Sequence, residues 1–476
     1  MPRLIVVSNR VARFGQNEAN TGGLATALKS ALEDQGGIWF GWSGDTVDGE
    51  PGPPRREVHG PIIRATVDLQ RNEFQRFYTG FSNGALWPLL HYRTDLMDFH
   101  QADYEAYQRV NERFAVELMR LLRPDDVIWV HDYQLFPLGS HLRAMGAHHR
   151  IGFFLHTPFP PWQIISALPV HSDIAEALAA YDLIGTQTDD DAQCMREFLR
   201  RVLQLNFMGE ESRAGKTRLR VTAFPISIDA RKIAADAARA AGMLQTQSLL
   251  KSLDGRALVI SVDRLDYTKG ILQRIAAIDH FLKRFPERLN DVSFLQIAPP
   301  TRDQIPAYRR LQKAVEEAIG RLNGQYAGLD GVPIKYLRKS FAQSTLFGFY
   351  RAANVGLVTP LRDGMNLVAK EYVACQDPRD PGVLVLSSMA GAAKELDAAL
   401  LVNPHDPAAT SCAIRQALDM SLSERIARHR ALMDKLKQND LDTWRANFTR
   451  ALVSRSQEPA VPPFVPAASG AIAIAP

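Results

Sequence analysis

Short runs of consecutive apolar residues recur along the chain, and longer segments with apolar positions at helical spacing lie between them. The runs Leu4–Val7, Val127–Val130, Ile151–Leu155, Leu183–Gly185, Leu258–Val262, Phe294–Ile297, Ile334–Leu337, Val355–Val358 and Val383–Leu386 are predicted to be strands. The segments Asp103–Leu122, Lys269–Phe285, Ile305–Arg321 and Gln343–Ala352 are predicted to be helices. Strands that are apolar throughout, rather than alternating, are buried on both faces, which is the habit of parallel sheets covered by helices. Alternation of such strands with helices predicts an α/β chain of doubly wound domains.

A length of 476 residues exceeds one ordinary core and implies two domains. The composition shifts over residues 230–256, an Ala-rich helical stretch followed by AGMLQTQSLLKSLDGR, before a new strand begins near Ala257. A boundary there divides the chain into residues 1–235 and 236–440. Phe40 to Leu69, with the turn-rich DGEPGPP, reads as an inserted hairpin region. The Pro/Ala-rich residues 456–476 are expected to be disordered.

Charge narrows the function by exclusion. Fifty-six basic against 52 acidic residues leave a net charge of +4, too little over this length to imply a nucleic-acid or membrane partner. The three cysteines, Cys194, Cys375 and Cys412, show neither disulfide nor metal-ligand spacing, so a reduced, cytoplasmic setting is expected and no metal site. The apolar run Leu4–Val7 is too short for a signal-peptide core, and no stretch approaches the ~20 apolar residues of a membrane span.

The most informative segment is TPLRDGMNLVAKE, Thr359 to Glu371. A buried strand runs into an Arg-Asp-Gly turn, and an apolar helix follows with Asn366 in its first turn. The turn supplies a carboxylate, Asp363, the helix start supplies free N–H groups, and Glu371 lies on a largely apolar helix where a charge needs a partner. This set suits a sugar hydroxyl, a phosphate and a ribose; turn chemistry and an exposed helical Glu are the plain alternative. In VDRLDYTKG, Arg264 and Lys269 leave the carboxyl end of a strand, where such sheets bind ligands, and two cations suit a diphosphate. A solvated loop is the competing reading. Gly22 and Gly23 of NTGGL precede a helix, as either a phosphate approach or an ordinary turn. Tyr78, Trp87, His91, Tyr92 and Arg93 fall within FYTGFSNGALWPLLHYR and serve either a sugar face or the core. Arg10 and Arg302 each leave a strand end, as a clamp for a second phosphate or as plain surface charges. His131-Asp132 and His156 close two further strands at the rim of the expected cleft, where a structural role is the competing reading.

In chain order, SNR, TGGL, FSNGALWPLLHYR, IWVHDYQL, IGFFLHTPFPP, VDRLDYTKG, QIAPPTR and TPLRDGMNLVAKEYVACQ closely resemble the retaining glycosyltransferases that make α,α-trehalose 6-phosphate, glycosyltransferase family 20. The resemblance spans residues 8 to about 450. It implies a GT-B fold: two Rossmann-like domains facing across a cleft, the first for the acceptor, the second for the nucleotide-sugar, and a helix at 441–455 crossing back to the first. It implies UDP-glucose as donor, glucose 6-phosphate as acceptor, no cofactor, and a homo-oligomer. Residue by residue it implies donor contacts from Gly22, Gly23, Arg264, Lys269, Phe341, Asp363, Gly364, Met365, Asn366, Leu367, Val368 and Glu371. Acceptor contacts would come from Arg10, Tyr78, Trp87, Asp132 and Arg302. Asp132, His156, Arg264, Lys269 and Asp363 would act in catalysis, with Trp87 and His156 selecting the α-anomer. In this family retention is ascribed to attack on the face that the nucleotide leaves, the departing phosphate oxygen taking the acceptor's proton. The alternatives are a transferase of the same fold with another acceptor, such as glycerol 3-phosphate, and an inactive sugar-phosphate sensor.

Overall fold

The computed structural model describes residues 2–13, 23–214, 217–328 and 331–454. Gly22 and the expected disordered tail at 456–476 lie outside them. The strands of the first half are β1 (Leu4–Arg10), β2 (Gly37–Val47), β3 (Arg55–His59), β4 (Ile62–Gln70), β5 (Val127–His131), β6 (Arg150–Phe154), β7 (Leu183–Thr186), β8 (Phe207–Met208), β9 (Glu211–Ala214) and β10 (Thr217–Ala223). They form one sheet in the order β3-β4-β2-β1-β5-β6-β7-β10-β9-β8, parallel except at its two edges. The second half supplies β11 (Ala257–Val262), β12 (Val292–Ile297), β13 (Ile334–Leu337), β14 (Val355–Val358), β15 (Val383–Ser387) and β16 (Leu400–Val402). Their order is β13-β12-β11-β14-β15-β16, parallel throughout.

Both sheets reverse their winding once. β2 lies on one side of β1 and β5 on the other; β12 and β14 flank β11 in the same way. The helical connections then diverge from these two points and leave a crevice at the carboxyl ends of the strands, where ligands bind in open α/β sheets. Arg10 and Asp132 stand at the first reversal, Arg264 and Thr359 at the second.

The predicted strands form, most of them one or two residues longer than the apolar runs, because pairing continues through polar strand ends such as Ser8–Arg10 and His131. Phe40–Leu69 is a hairpin only in part, since β3 and β4 pair across Gly60-Pro61 while the region as a whole belongs to the main sheet and is no insertion. β2 and β4 are parallel strands of the main sheet, buried from Gly37 to Ser43 in β2, and only β3 with β4 makes an antiparallel pair. The stretch Phe74–Leu86, which shows no plain helical pattern, winds as a wide π-helix, a form concentrated at functional sites.

Helix Ala230–Ala240, inside which the expected cut at 235 falls, packs on helices Gln343–Ala352 and Leu367–Cys375 of the second half. The last helix, Leu441–Val453, returns to the first sheet. Its Phe448 stacks on Trp129 with ring centroids 4.6 Å apart and lies over Gly152 and Gly185, where any side chain would strike its ring. Trp444 joins the same cluster beside Phe154. Among the described residues no helix is long and apolar enough to cross a membrane.

Candidate active site

The Arg-Asp-Gly turn after β14 is pinned from both sides of its backbone. Asp363 N donates to Met389 O at 3.2 Å, and Gly391 N donates to Asp363 O at 3.1 Å. Asn366 then caps helix Leu367–Cys375: its Oδ1 accepts from Ala369 N at 3.2 Å, and its φ of 78° turns the chain into the helix. Its Nδ2 donates to Asp363 Oδ2 at 3.1 Å, and Lys269 Nζ binds the same oxygen. Thus Lys269, read from sequence as a diphosphate cation, is ion-paired to Asp363, whereas Arg264 is exposed and has no carboxylate partner among the described residues.

Two further charges on this helix have different fates. Lys370 is fully buried, donating to Ile226 O at 2.7 Å and to Glu395. Burial lowers its pKa, against the pull of Glu395. Glu371 faces the cleft, and burial raises its carboxyl pKa to about 7, opposed by a hydrogen bond from Gln343. Beneath the loop, Arg274 is 1% exposed and contacts Asp263 at 2.8 Å, Gln296 Oε1 at 2.9 Å, Thr359 Oγ1 at 3.0 Å and Lys269 O at 3.1 Å. One side chain thereby ties the ends of β11, β12 and β14 to the loop carrying Lys269. Sequence reading passed over it because an Arg on an amphipathic helix looks like any surface cation.

On the opposite wall, Asp132 follows β5 with φ of 76°, its N–H donating to Phe154 O at 2.8 Å and its Oδ1 accepting from His156 N at 3.2 Å. Burial raises its pKa to about 6, against the pull of His156 N–H, Tyr133 N–H, Arg302 and Arg264. Arg302, with φ of 49°, comes from the second half and reaches across. Its guanidinium lies 4.0 Å from the centroid of Trp87 and bonds Tyr308 OH at 2.7 Å, Tyr133 OH at 3.2 Å and Asp266 at 3.3 Å. Arg10 stands 5.8 Å from the Trp42 ring and has no carboxylate partner among the described residues. Tyr78 stacks on Phe74 at 5.2 Å, and Trp87 is only 6% exposed. Asp132, Arg302 and Asn366 are half of the six non-glycine residues with positive φ among the described residues; such conformations persist where the surroundings over-determine them and cluster at working sites.

These walls enclose two cavities. One, of about 530 Å³, is lined by Arg264, Lys269, Phe341, Asp363, Met365, Asn366, Leu367, Val368 and Glu371. The other, of about 850 Å³, is lined by Arg10, Tyr78, Trp87, Asp132 and Arg302. Four of the described residues line both: His156, Arg264, Lys269 and Asp363. At this seam the two halves touch through backbone, since a Cβ on Gly364 would lie 2.1 Å from His156 O. Only glycine admits that approach. Gly23 opens helix Gly23–Gln35, whose Ala25 and Leu28 line the larger cavity.

Both ring nitrogens of His156 are engaged inside the protein, Nε2 with His131 Nδ1 at 3.1 Å and Nδ1 with Gln187 Nε2 at 3.4 Å. Burial lowers its pKa to about 3, so the ring is neutral. Of the sequence-identified pair His131-Asp132, only Asp132 had been given a role; Gln187 carried no signal at all, since a Gln after a strand is commonplace.

A family model of glycosyltransferase family 20 matches residues 3–454. A trehalose-6-phosphate synthase of Sinorhizobium fredii is 45% identical over 460 residues, 96% of this chain and 99% of the relative. A UDP-forming α,α-trehalose-phosphate synthase from Burkholderia xenovorans, solved in complex with glucose-6-phosphate, superposes with a TM-score of 0.90 at 47% identity, covering 94% of this chain and 99% of that one. An E. coli structure bound with UDP-2-fluoro glucose gives a TM-score of 0.90 at 42% identity over 94% of this chain and 98% of that one. A full-length sequence match and a matching two-sheet fold with one cleft lead to a single assignment: this chain belongs to glycosyltransferase family 20.

Proposed function

We propose that the chain transfers glucose from UDP-glucose to glucose 6-phosphate with retention, giving α,α-trehalose 6-phosphate and UDP. The observation that carries this reading is the pair of cavities meeting at His156, Arg264, Lys269 and Asp363. One cavity has the fittings for a nucleotide-sugar, the other for a sugar phosphate, and the seam is where a glucosyl group would pass between them. The relatives solved with glucose-6-phosphate and with UDP-2-fluoro glucose support the same pairing.

In this reading Glu371 accepts the ribose hydroxyls, while Phe341, Leu367 and Val368 flank the nucleotide. Asp363 and the backbone from Gly364 to Asn366 hold the glucose. Arg264, Lys269 and the amino end of helix Leu367–Cys375 face the negative charge that grows on the departing UDP. Charge there is stabilised by donors already in place, so little reorganisation is needed at the moment of transfer. Arg10 takes the acceptor phosphate, Tyr78 and Trp87 shape the hexose site, and Asp132 accepts from an acceptor hydroxyl.

A double displacement would need a free carboxylate at the seam. Among the described residues the one carboxylate that lines both cavities, Asp363, has Oδ2 occupied by both Lys269 and Asn366. Same-face attack, with the departing phosphate oxygen taking the acceptor's proton, fits this seam better. Three cysteines without a mutual pairing fit a reduced, cytoplasmic setting, and assembly into a homo-oligomer belongs to the same proposal.

The test incubates the protein with glucose 6-phosphate and UDP-, GDP- or ADP-glucose and identifies the product and its anomeric configuration. Trehalose 6-phosphate with UDP-glucose supports the reading. A product formed only with another phosphorylated acceptor, such as glycerol 3-phosphate, or no product with any donor, overturns it.

A further inference from the structure

Behind the seam lies a line of buried polar groups that the reaction above does not use. Gln187 follows β7 and is 2% exposed. The backbone N–H of Ile226, which can only donate, is bonded to Gln187 Oε1 at 3.0 Å. The orientation of the amide is thereby settled: its nitrogen, 3.4 Å from His156 Nδ1, is the donor to the ring. Nδ1 accepts and carries no proton, so the neutral ring holds its proton on Nε2 and donates it to His131 Nδ1 at 3.1 Å. His131 accepts in turn and keeps its own proton on Nε2, an atom that is buried without a partner among the described residues. Burial of both rings favours their neutral forms.

The far end of the line is equally specific. Ile226 lies on the segment, residues 224–229, by which the chain crosses from the first sheet to the second. Its carbonyl accepts from Lys370 Nζ at 2.7 Å, on the helix that carries Glu371 and is capped by Asn366. Lys370 also holds Glu395, which takes the amide of Asn439 at 2.7 Å where the chain returns toward the first sheet. Both crossings are therefore gripped by one buried lysine of the donor helix, and the Ile226 peptide passes that grip on to Gln187.

We infer that Gln187 is a positioning residue: it holds His156 as the Nε2-protonated tautomer at the seam and couples that ring, through the Ile226 peptide and Lys370, to the donor helix. Its kinetic consequence rests on the transfer reaction proposed above; the tautomer does not.

Nitrogen-15 NMR of histidine-labelled protein, with His156 assigned by substitution, reads the tautomer directly. The expected result in the intact protein is an unprotonated Nδ1 and a protonated Nε2 from pH 6 to 8. Gln187→Met keeps the bulk and removes both bonds. It is expected to mix the tautomers of His156 and to lower kcat about 10²-fold, the scale of an ångström-level misplacement, with KM for glucose 6-phosphate little changed. Gln187→Glu keeps the acceptor for Ile226 but faces Nδ1 with a carboxylate. It is expected to move the proton to Nδ1 and to add an ionisation to the pH profile of kcat. A protonated Nδ1 in the intact protein overturns the inference, as does a folded Gln187→Met with unchanged kcat. Should Gln187→Met fail to fold, Gln187→Glu decides, and an unchanged tautomer and pH profile would refute the inference. Absence of transfer by the intact protein sinks the proposed reaction alone, since the tautomer is read without substrate.

Discussion

Lys269 and Asn366 share one oxygen of Asp363, Oδ2, although Lys269 lies on the loop after β11 and Asn366 caps a helix beyond β14. The carboxylate thereby locks two loops of the second sheet together at the seam. In the proposed reaction its other oxygen would accept from a sugar hydroxyl, and the ammonium would face the leaving phosphate.

Loss of the ammonium is expected to cost more than a contact. Lys269→Ala should lower kcat by about 10²–10³-fold, the typical loss for one donor to a developing anion. Initial rates at saturating glucose 6-phosphate, with the Tm measured alongside, check this. A change in Tm without a change in kcat would make Lys269 a structural residue.

Asp132 is expected to give the acceptor side a pH dependence. Its folded pKa is raised to about 6 by burial, so the charged form predominates only above that value. If the carboxylate accepts from the acceptor hydroxyl, kcat/KM for glucose 6-phosphate rises with pH through about 6, and Asp132→Asn abolishes that limb. The stability linkage has the opposite sign. A carboxyl with a raised folded pKa favours folding while protonated and loses that contribution as pH climbs from its unfolded value toward about 6. Asp132→Asn is therefore expected to raise Tm at pH 8 and to leave it unchanged at pH 4.

Glu371 sets the donor's pH dependence. Burial raises its carboxyl pKa to about 7, so that protonated acid and carboxylate are both present around neutrality. Ribose hydroxyls donate best to the carboxylate, so KM for UDP-glucose should climb as pH falls from 8 to 6. Glu371→Gln should show a raised KM that no longer varies over this range, as measured by donor titrations at fixed acceptor.

Arg10 is a cation of the acceptor cavity, contributed by the first half, that lacks a carboxylate partner among the described residues, whereas Arg302 is committed to Asp266, Tyr308 and Tyr133. Arg10→Ala should raise KM for glucose 6-phosphate roughly 10- to 100-fold, the range of one charge-assisted bond, and leave KM for UDP-glucose unchanged. Arg302→Ala should also destabilise the fold by about 3 kcal/mol or more, because Asp266 is left buried and unpaired. Urea unfolding separates the two variants.

Gly364→Ala tests the seam itself. The added methyl would meet His156 O at 2.1 Å, so the halves must part by an ångström or more for the chain to fit it. Retained secondary structure with a kcat lowered about 10²-fold is the expected outcome. Near-normal turnover would mean that the contact is dispensable.

The fold class was legible in the sequence because burial on both faces writes parallel strands as unbroken apolar runs, and because the loops at their carboxyl ends hold polar residues that no core explains. Arg264, Asp363, Asn366 and Glu371, all of which line the smaller cavity, were singled out in this way from local chemistry. Phe40–Leu69 was read only in part, as a hairpin, since its turn residues stood out more than its pairing into the main sheet: β2 joins β1 and β4 through partners distant in sequence. Arg274, Gln187 and Lys370 were invisible for the same reason, and His131 was seen at a strand end without its partner His156. A buried Arg that ties three strand ends together and a surface Arg on a helix are the same letter.

By itself the sequence determined that this chain builds two parallel-sheet domains with polar loops at the strand ends, and its motifs placed it beside one transferase family. The tertiary structure alone decided which of those loops face one another and that, among the described residues, Lys269 is paired while Arg264 and Arg10 have no carboxylate partner. It also decided that two cavities meet at four residues. Periodicity and turn chemistry act over a few residues and survive in the string. Contacts across a cleft depend on where each sheet reverses its winding and how closely two backbones approach, and those are set by packing among residues hundreds of positions apart.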